Sequence, residues 1–290
     1  MLLSVLQEFT TEPVTFFVLL GTAGLILFFM LAALSTPLFG AVTESLYVIK
    51  HTSFYDKCAL QITQAAFGMG VFIFSTLGAW VFYYWEFEPL LFFVALLNGL
   101  IFLCAYWSTW SVLKQRRALH LLLGWSAALS MLGALLFGLY FFLPPFMPLV
   151  YLALICLGLV CTGLAAGAGL SQLWLIMRRF KADYGRDYYA FAMRYCARVA
   201  LTFTLTAALA VGALLFLLRQ FIPAQLMQTP DVGITIIAFG LPLSCCQLWL
   251  GITKSENPLR HKIGAFFACI FLFIALCAQL LILFSTFYLA

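Results

Sequence analysis

Apolar residues run along this chain in long continuous stretches, broken by short polar clusters instead of alternating with them. Runs of roughly 20 or more residues, enough to cross a ~30 Å hydrocarbon layer as helix, cover residues 13–36, 58–85, 89–113, 118–143, 147–177, 191–219, 232–253 and 263–288. A transmembrane barrel needs short alternating segments, which this pattern excludes. Pro13 and Pro89 stand at span starts, where a missing amide hydrogen costs little. Pro37 is expected to help end the first helix and Pro242, inside the seventh span, to kink its helix.

The polar clusters repeat a theme. Glu44-Ser-Leu-Tyr47-Val-Ile-Lys50-His51 leads through Tyr55-Asp56-Lys57-Cys58 into an apolar run. Farther on, Trp174-Leu-Ile-Met-Arg178-Arg179 leads through Lys181, Arg186, Arg194 and Arg198 into another. Two copies of one hairpin is the simplest reading. The expected architecture is an all-α integral membrane protein of about eight transmembrane helices arranged as two four-helix repeats, residues 1–145 and 146–290.

Composition agrees: 65% of the residues are hydrophobic and 9% charged, with a mean hydropathy of +1.09, whereas soluble domains carry about a quarter charged residues. Charge then adds a direction. Of the fifteen Lys and Arg residues, all but Arg219 fall in or beside alternate connections that share one side, and Glu8, Glu12, Glu86, Glu88 and Asp231 fall on the other. Basic residues are retained in the cytoplasm, so both termini are expected on the non-cytoplasmic side of a bacterial inner membrane. The first twelve residues hold two glutamates and no Lys or Arg, unlike the start of a cleaved signal peptide. The formal charge of +5 is thus a topology signal; nothing resembles a nucleic-acid reader. The basic side suits anionic lipid headgroups, at about 1 kcal/mol per residue near the surface.

Candidate chemistry is sparse. No ionisable residue lies near the middle of any of these spans, although such residues normally mark proton, ion or cofactor sites. Most of the uncharged polar groups, among them Gln61, Thr63, Gln172, Thr202, Ser244 and Gln279, are expected to hydrogen-bond across helices. The cysteines lie in apolar runs, except Cys58 at a span start, and without a Cys-x-x-Cys pair they indicate neither zinc nor attached haem. Of His51, His120 and His261, only His120 opens a span in a way that lets it turn inward, toward a haem or a quinone. The cost of burying it favours a headgroup-level histidine instead. Met69 and Met131 are soft axial ligands in principle, but methionine in apolar helices usually packs. Tyr83, Tyr84, Trp85, Tyr106, Trp107, Trp110, Trp174 and Trp249 sit near span ends, as interfacial anchors do. Gly163-x-x-x-Gly167 suits close helix packing inside the bundle.

Three groups of residues resemble the haem-bearing subunit I of cytochrome bd quinol oxidases. These are Glu44-Ser-Leu-Tyr47 with Tyr55-Asp56-Lys57 and Phe67-Gly68-Met69-Gly70, His120-Leu-Leu-Leu-Gly124-Trp125, and Gly169-Leu-Ser171 with Trp174 and Ala190-Phe-Ala-Met193-Arg194. The resemblance covers the first six spans and implies the same orientation. Where that family carries haem histidines, this chain has Ile26 and Leu154 or Ile155; where it carries paired glutamates, Phe93 and Ile101. The family's long quinol loop is here the short segment 220–231. The resemblance therefore implies a relative poor in haem or free of it, with His120 and Trp174 as the remaining cofactor-facing candidates and no catalytic or metal-binding residue.

The expected function is a non-catalytic membrane subunit of a respiratory or quinone-linked electron-transfer complex. It would act as a scaffold with a quinone or lipid site, and its partners would be other membrane or redox subunits. The alternative is a small-solute transporter with its site near Pro242, against which stands the lack of buried charges and paired broken helices. A haem b protein built on His120 is the third reading.

Overall fold

The computed structural model describes residues 13–84, 87–113, 116–142, 148–178, 184–221 and 232–288. Among these, eight helices are long and apolar enough to cross a membrane. They are α1 (Pro13–Lys50), α2 (Ser53–Tyr84), α3 (Phe87–Ser108), α4 (Arg117–Phe142), α5 (Leu149–Arg178), α6 (Arg186–Phe221), α7 (Val232–Lys254) and α8 (Lys262–Tyr288), with a short 3₁₀ turn, Pro258–His261, ahead of α8. No strand occurs among the described residues. The chain is an all-α membrane protein.

Pro37 does not end the first helix. α1 continues through it for 38 residues, about 57 Å at 1.5 Å per residue. Proline breaks helices mainly by stranding a carbonyl and clashing with the preceding turn, and transmembrane helices tolerate both when packed among neighbours. Residues 31–37 are all buried, so packing overrides the local preference. α1 stops at His51, whose positive φ of 53° caps the helix while its N–H donates to the Tyr47 carbonyl at 2.8 Å. Only His51 and Thr52 separate α1 from α2.

Adjacent helices pack in pairs, α1 on α2, α3 on α4, α5 on α6 and α7 on α8. α1 and α5 form the centre: α1 also packs on α4 and α5, and α5 also touches α8. Residues 161–169 of α5 are all buried. Within lipid, helices gain little from hiding apolar surface from each other, so close backbone approach between small residues carries the association. Gly163 and Gly167 supply it, as the spacing predicts. A Cβ on Gly163 would lie 2.5 Å from the Leu31 carbonyl oxygen and strike Ser35 Oγ, and one on Gly167 would strike Thr36 Oγ1.

Pro242 remains inside α7. Having no N–H, it leaves the Ala238 carbonyl without its helical partner, and Gln279 of α8 donates its Nε2 to that oxygen at 3.1 Å. Gln279→Leu removes this donor at nearly constant volume. It is expected to cost about 1–3 kcal/mol for the stranded carbonyl, read as a lowered midpoint of thermal unfolding in detergent, whereas replacement of exposed Gln247 leaves the midpoint unchanged.

The aromatic residues near the basic ends do not all form a belt. Tyr106, Trp110 and Trp249 are buried, because their polar atoms and ring faces have partners inside the bundle, set out below. The side chains of Tyr83, Tyr84 and Trp85 lie outside the described residues. Met131 is packing, fully buried with its sulfur against Gly99 of α3.

Candidate functional site

Extending α1 to Lys50 places Glu44 inside the bundle. Its relative exposure is 0% and that of His120, in the first turn of α4, is 1%. His120 is therefore not a headgroup-level residue. The expected cost of burying it is met by partners on α1, on α3 and in the turn that follows α3. Its Nδ1 lies 2.6 Å from Glu44 Oε1, and its Nε2 lies 3.0 Å from the backbone carbonyl of Tyr106. Tyr106, on α3, donates its hydroxyl to the other carboxylate oxygen, Glu44 Oε2, at 2.7 Å. The Tyr106 and Trp110 rings stand 4.7 and 4.6 Å from the imidazole.

Local sequence explains the fit. His120 and Gly124, four residues apart, share one face of α4. A Cβ on Gly124 would come within 2.8 Å of the Tyr106 ring, so glycine lets that ring lie against the α4 backbone while its hydroxyl reaches α1. Trp125, next along, donates its indole N–H to Ser45 Oγ at 3.3 Å. The sequence His120-x-x-x-Gly124-Trp125 is thus a docking surface for α1 and α3.

Toward the basic end the cluster meets solvent. Arg117 Nη1 lies 3.5 Å from Glu44 Oε1 and 2.7 Å from Asp56 Oδ1 at the start of α2, with the Arg117 and Asp56 side chains 25% and 19% exposed. The guanidinium also covers the Tyr47 ring at 4.6 Å. Side chains of α3 and α4 thus converge on the carboxylate of α1, with Asp56 of α2 joined through Arg117, and both carboxylate oxygens of Glu44 have a partner.

This geometry speaks to the cofactor candidates. Both nitrogens of His120 stand within hydrogen-bond distance of oxygen partners, so neither faces an open axial position for a haem in this conformation. Trp174 belongs to a different cluster, half-buried at the end of α5 with the Arg178 guanidinium 5.2 Å from its ring centre. No group of three or more His, Cys, Asp or Glu among the described residues is arranged to hold a metal. At Pro242 the cavity lined by Thr162, Thr204 and Gln279 measures about 10 Å³, space for about one water and none for a solute.

A larger opening lies at the basic end between α2, α6 and the connection from α7 to α8. It is a groove of about 520 Å³. Tyr55 stands edge-on to Phe191 and Tyr195, at 5.0 and 5.5 Å, and these two rings lie 5.9 Å apart and nearly parallel. Arg186, Arg194 and Arg198 line the same groove beside Asp187 and Glu256. Arg194 is committed, donating to the Ser255 and Glu256 carbonyls at 2.9 Å, whereas Arg186 and Arg198 are exposed. The Tyr195 hydroxyl sits 3.1 Å from Thr43 Oγ1, which ties the groove to the helix that carries Glu44.

Sequence reasoning singled out His120 as the one histidine able to turn inward but favoured a headgroup-level place for it, which its burial corrects, and it missed the roles of Glu44, Asp56 and Arg117. The available signal was the apolar run that resumes after Pro37 and reaches Lys50 with Glu44 its one charge. The chain matches no family model, no curated protein and no solved structure.

Proposed function

We propose that this chain is a haem-free membrane subunit of a quinone-linked electron-transfer complex, set in a bacterial inner membrane with its basic end in the cytoplasm and both termini outside. Its two four-helix repeats, 1–145 and 146–290, meet at α1 and α5. The groove beside Tyr55, Phe191 and Tyr195 carries this reading. It combines flat aromatic walls, on which a planar ring stacks, with the Arg186 and Arg198 guanidinium groups, which donate to carbonyl or phosphate oxygens, at the level of the bundle where the charged ends begin. A quinone head or an anionic lipid headgroup has that chemistry, and the same basic surface suits a soluble redox partner.

Two measurements test it. Affinity capture of the tagged chain from native membranes is expected to bring down redox subunits, and a photoreactive quinone analogue to label peptides around Tyr55 or Tyr195. Labelling should fall several-fold in Arg198→Ala and under excess quinone. A b-type band in the dithionite-reduced isolated chain, or solute uptake by the chain alone in liposomes, would overturn the reading in favour of a cytochrome or a transporter.

A further inference from the structure

The buried carboxylate of α1 has an uncharged counterpart in the second half of the chain. Glu44 stands six residues before Lys50 at the end of α1, and Gln172 six residues before Arg178 at the end of α5. Both are completely buried. Each accepts a hydrogen bond from an aromatic side chain two helices farther along: Tyr106 Oη of α3 to Glu44 at 2.7 Å, Trp249 Nε1 of α7 to Gln172 at 3.2 Å. At the second place the remaining contact is also neutral, with Gln172 Nε2 donating to the Met193 carbonyl at 2.8 Å.

The contact between the first and third helices of each half is therefore made once to a neutral amide and once to the Glu44 carboxylate, around which α4 adds His120 and Arg117, with Asp56 of α2 joined through Arg117. Charges within a bilayer-spanning bundle are costly, and buried ion pairs are not generally required for stability. The neutral version shows that this joint does not need them. What the charged version adds is the capacity to hold a proton.

The hydrogen-bond stereochemistry locates that proton. His120 Nε2 faces a backbone carbonyl, which can only accept, so this nitrogen carries a hydrogen. Nδ1 and Glu44 Oε1, 2.6 Å apart, hold one further hydrogen between them. With it, two carboxylates and one guanidinium sum to a neutral cluster; without it, the cluster is left with one net negative charge beside α1.

We infer that the Glu44–His120 pair is a proton-binding site that exchanges one proton with water at the basic end of the bundle. On release, the hydrogen between Nδ1 and Oε1 passes to water or buffer, leaving a neutral imidazole with its hydrogen on Nε2 and an ionised carboxylate. The groups facing the pair are Tyr106 from α3, Arg117 from α4 and Asp56 from α2, and Arg117 and Asp56 reach solvent, giving the proton its exit. Loss of the Nδ1–H···Oε1 bond loosens α4 from α1, so the state of the proton is felt at the central helix. This inference concerns the pair alone and holds whether or not the groove takes a quinone.

The test is ¹⁵N-histidine spectroscopy on the full-length protein in nanodiscs. His51 and His261, both exposed, are replaced by glutamine so that His120 is the only histidine signal. A single reversible step between the doubly and singly protonated imidazole is expected as pH is raised, with one proton released per chain. In Glu44→Gln the singly protonated form should prevail across the range and the proton release fall to background. A His120 signal that stays in one form at every pH where the helical content is unchanged would overturn the inference and leave a static structural pair. Because this readout does not depend on Glu44→Gln, it decides the matter even if that variant fails to fold.

Discussion

Glu44→Ala is expected to lower the midpoint of thermal unfolding in detergent by on the order of 10 °C. The carboxylate is wholly buried and takes hydrogen bonds from Tyr106 and His120, with Arg117 nearby at 3.5 Å. Its removal leaves a protonatable imidazole, a hydroxyl and a guanidinium around a methyl group. Breaking a buried charge pair by deleting one partner costs about 3–5 kcal/mol, and in a protein of this size each 1 kcal/mol moves the midpoint by about 2–4 °C. The nine cysteines, all free and several buried, allow unfolding to be followed with a thiol-reactive dye. Glu44→Gln should lose much less, since Gln172 shows that an amide serves in the matching position. Adding His120→Phe to Glu44→Ala should restore part of the loss, because the cost lies in the unpaired groups and the two effects are not additive. Equal midpoints for Glu44→Ala and the parent would show that the cluster contributes nothing to stability.

The eight spans, the close approach at Gly163 and Gly167, and the cross-helix roles of Gln172 and Gln279 follow from hydropathy and residue type, because each depends on local spacing or on one uncharged side chain seeking a partner. Glu44 was hidden by a rule drawn from helices in water: Pro37 marks an end there, and the carboxylate then falls in a loop. The burial of His120 was hidden for another reason. Its cost is prohibitive for a lone imidazole and acceptable for one paired with a carboxylate 76 residues away in sequence, and no local pattern announces that pairing. Position near a span end likewise suggested that Tyr106, Trp110 and Trp249 anchor the protein at the lipid surface. What decides their direction is a buried acceptor or ring partner, Glu44, His120 or Gln172, on a distant helix. The groove was out of reach for the same reason, being assembled from the starts of α2 and α6 and the α7–α8 connection.

Gly163→Leu is expected to abolish recovery of folded, monodisperse protein. The obstacle at this position is backbone: an added Cβ would stand 2.5 Å from the Leu31 carbonyl oxygen, and a backbone atom of a buried helix cannot rotate away as a side-chain tip does. α1 and α5 would have to separate along their whole contact, through residues 31–37 and 161–169, where nearly every side chain is small or fully enclosed. Overpacking a well-filled core costs about 1–3 kcal/mol where side chains can adjust, and more where, as here, the neighbouring main chain must move. Dispersion between the two helices falls off within fractions of an ångström of separation, and lipid offers no compensating drive for them to stay together. Gly167→Ala should be milder, because its principal obstacle is the Thr36 hydroxyl, a side-chain atom bonded to the Ala32 carbonyl at 2.5 Å that can exchange rotamer at the loss of one bond. Gly133→Leu is the control: a Cβ there meets nothing within 4 Å, so its elution profile and unfolding midpoint should match the parent. The ordering Gly163→Leu, then Gly167→Ala, then Gly133→Leu, measured by size-exclusion profile and thermal midpoint, distinguishes a central α1–α5 joint from a loosely packed bundle, in which all three variants would behave alike.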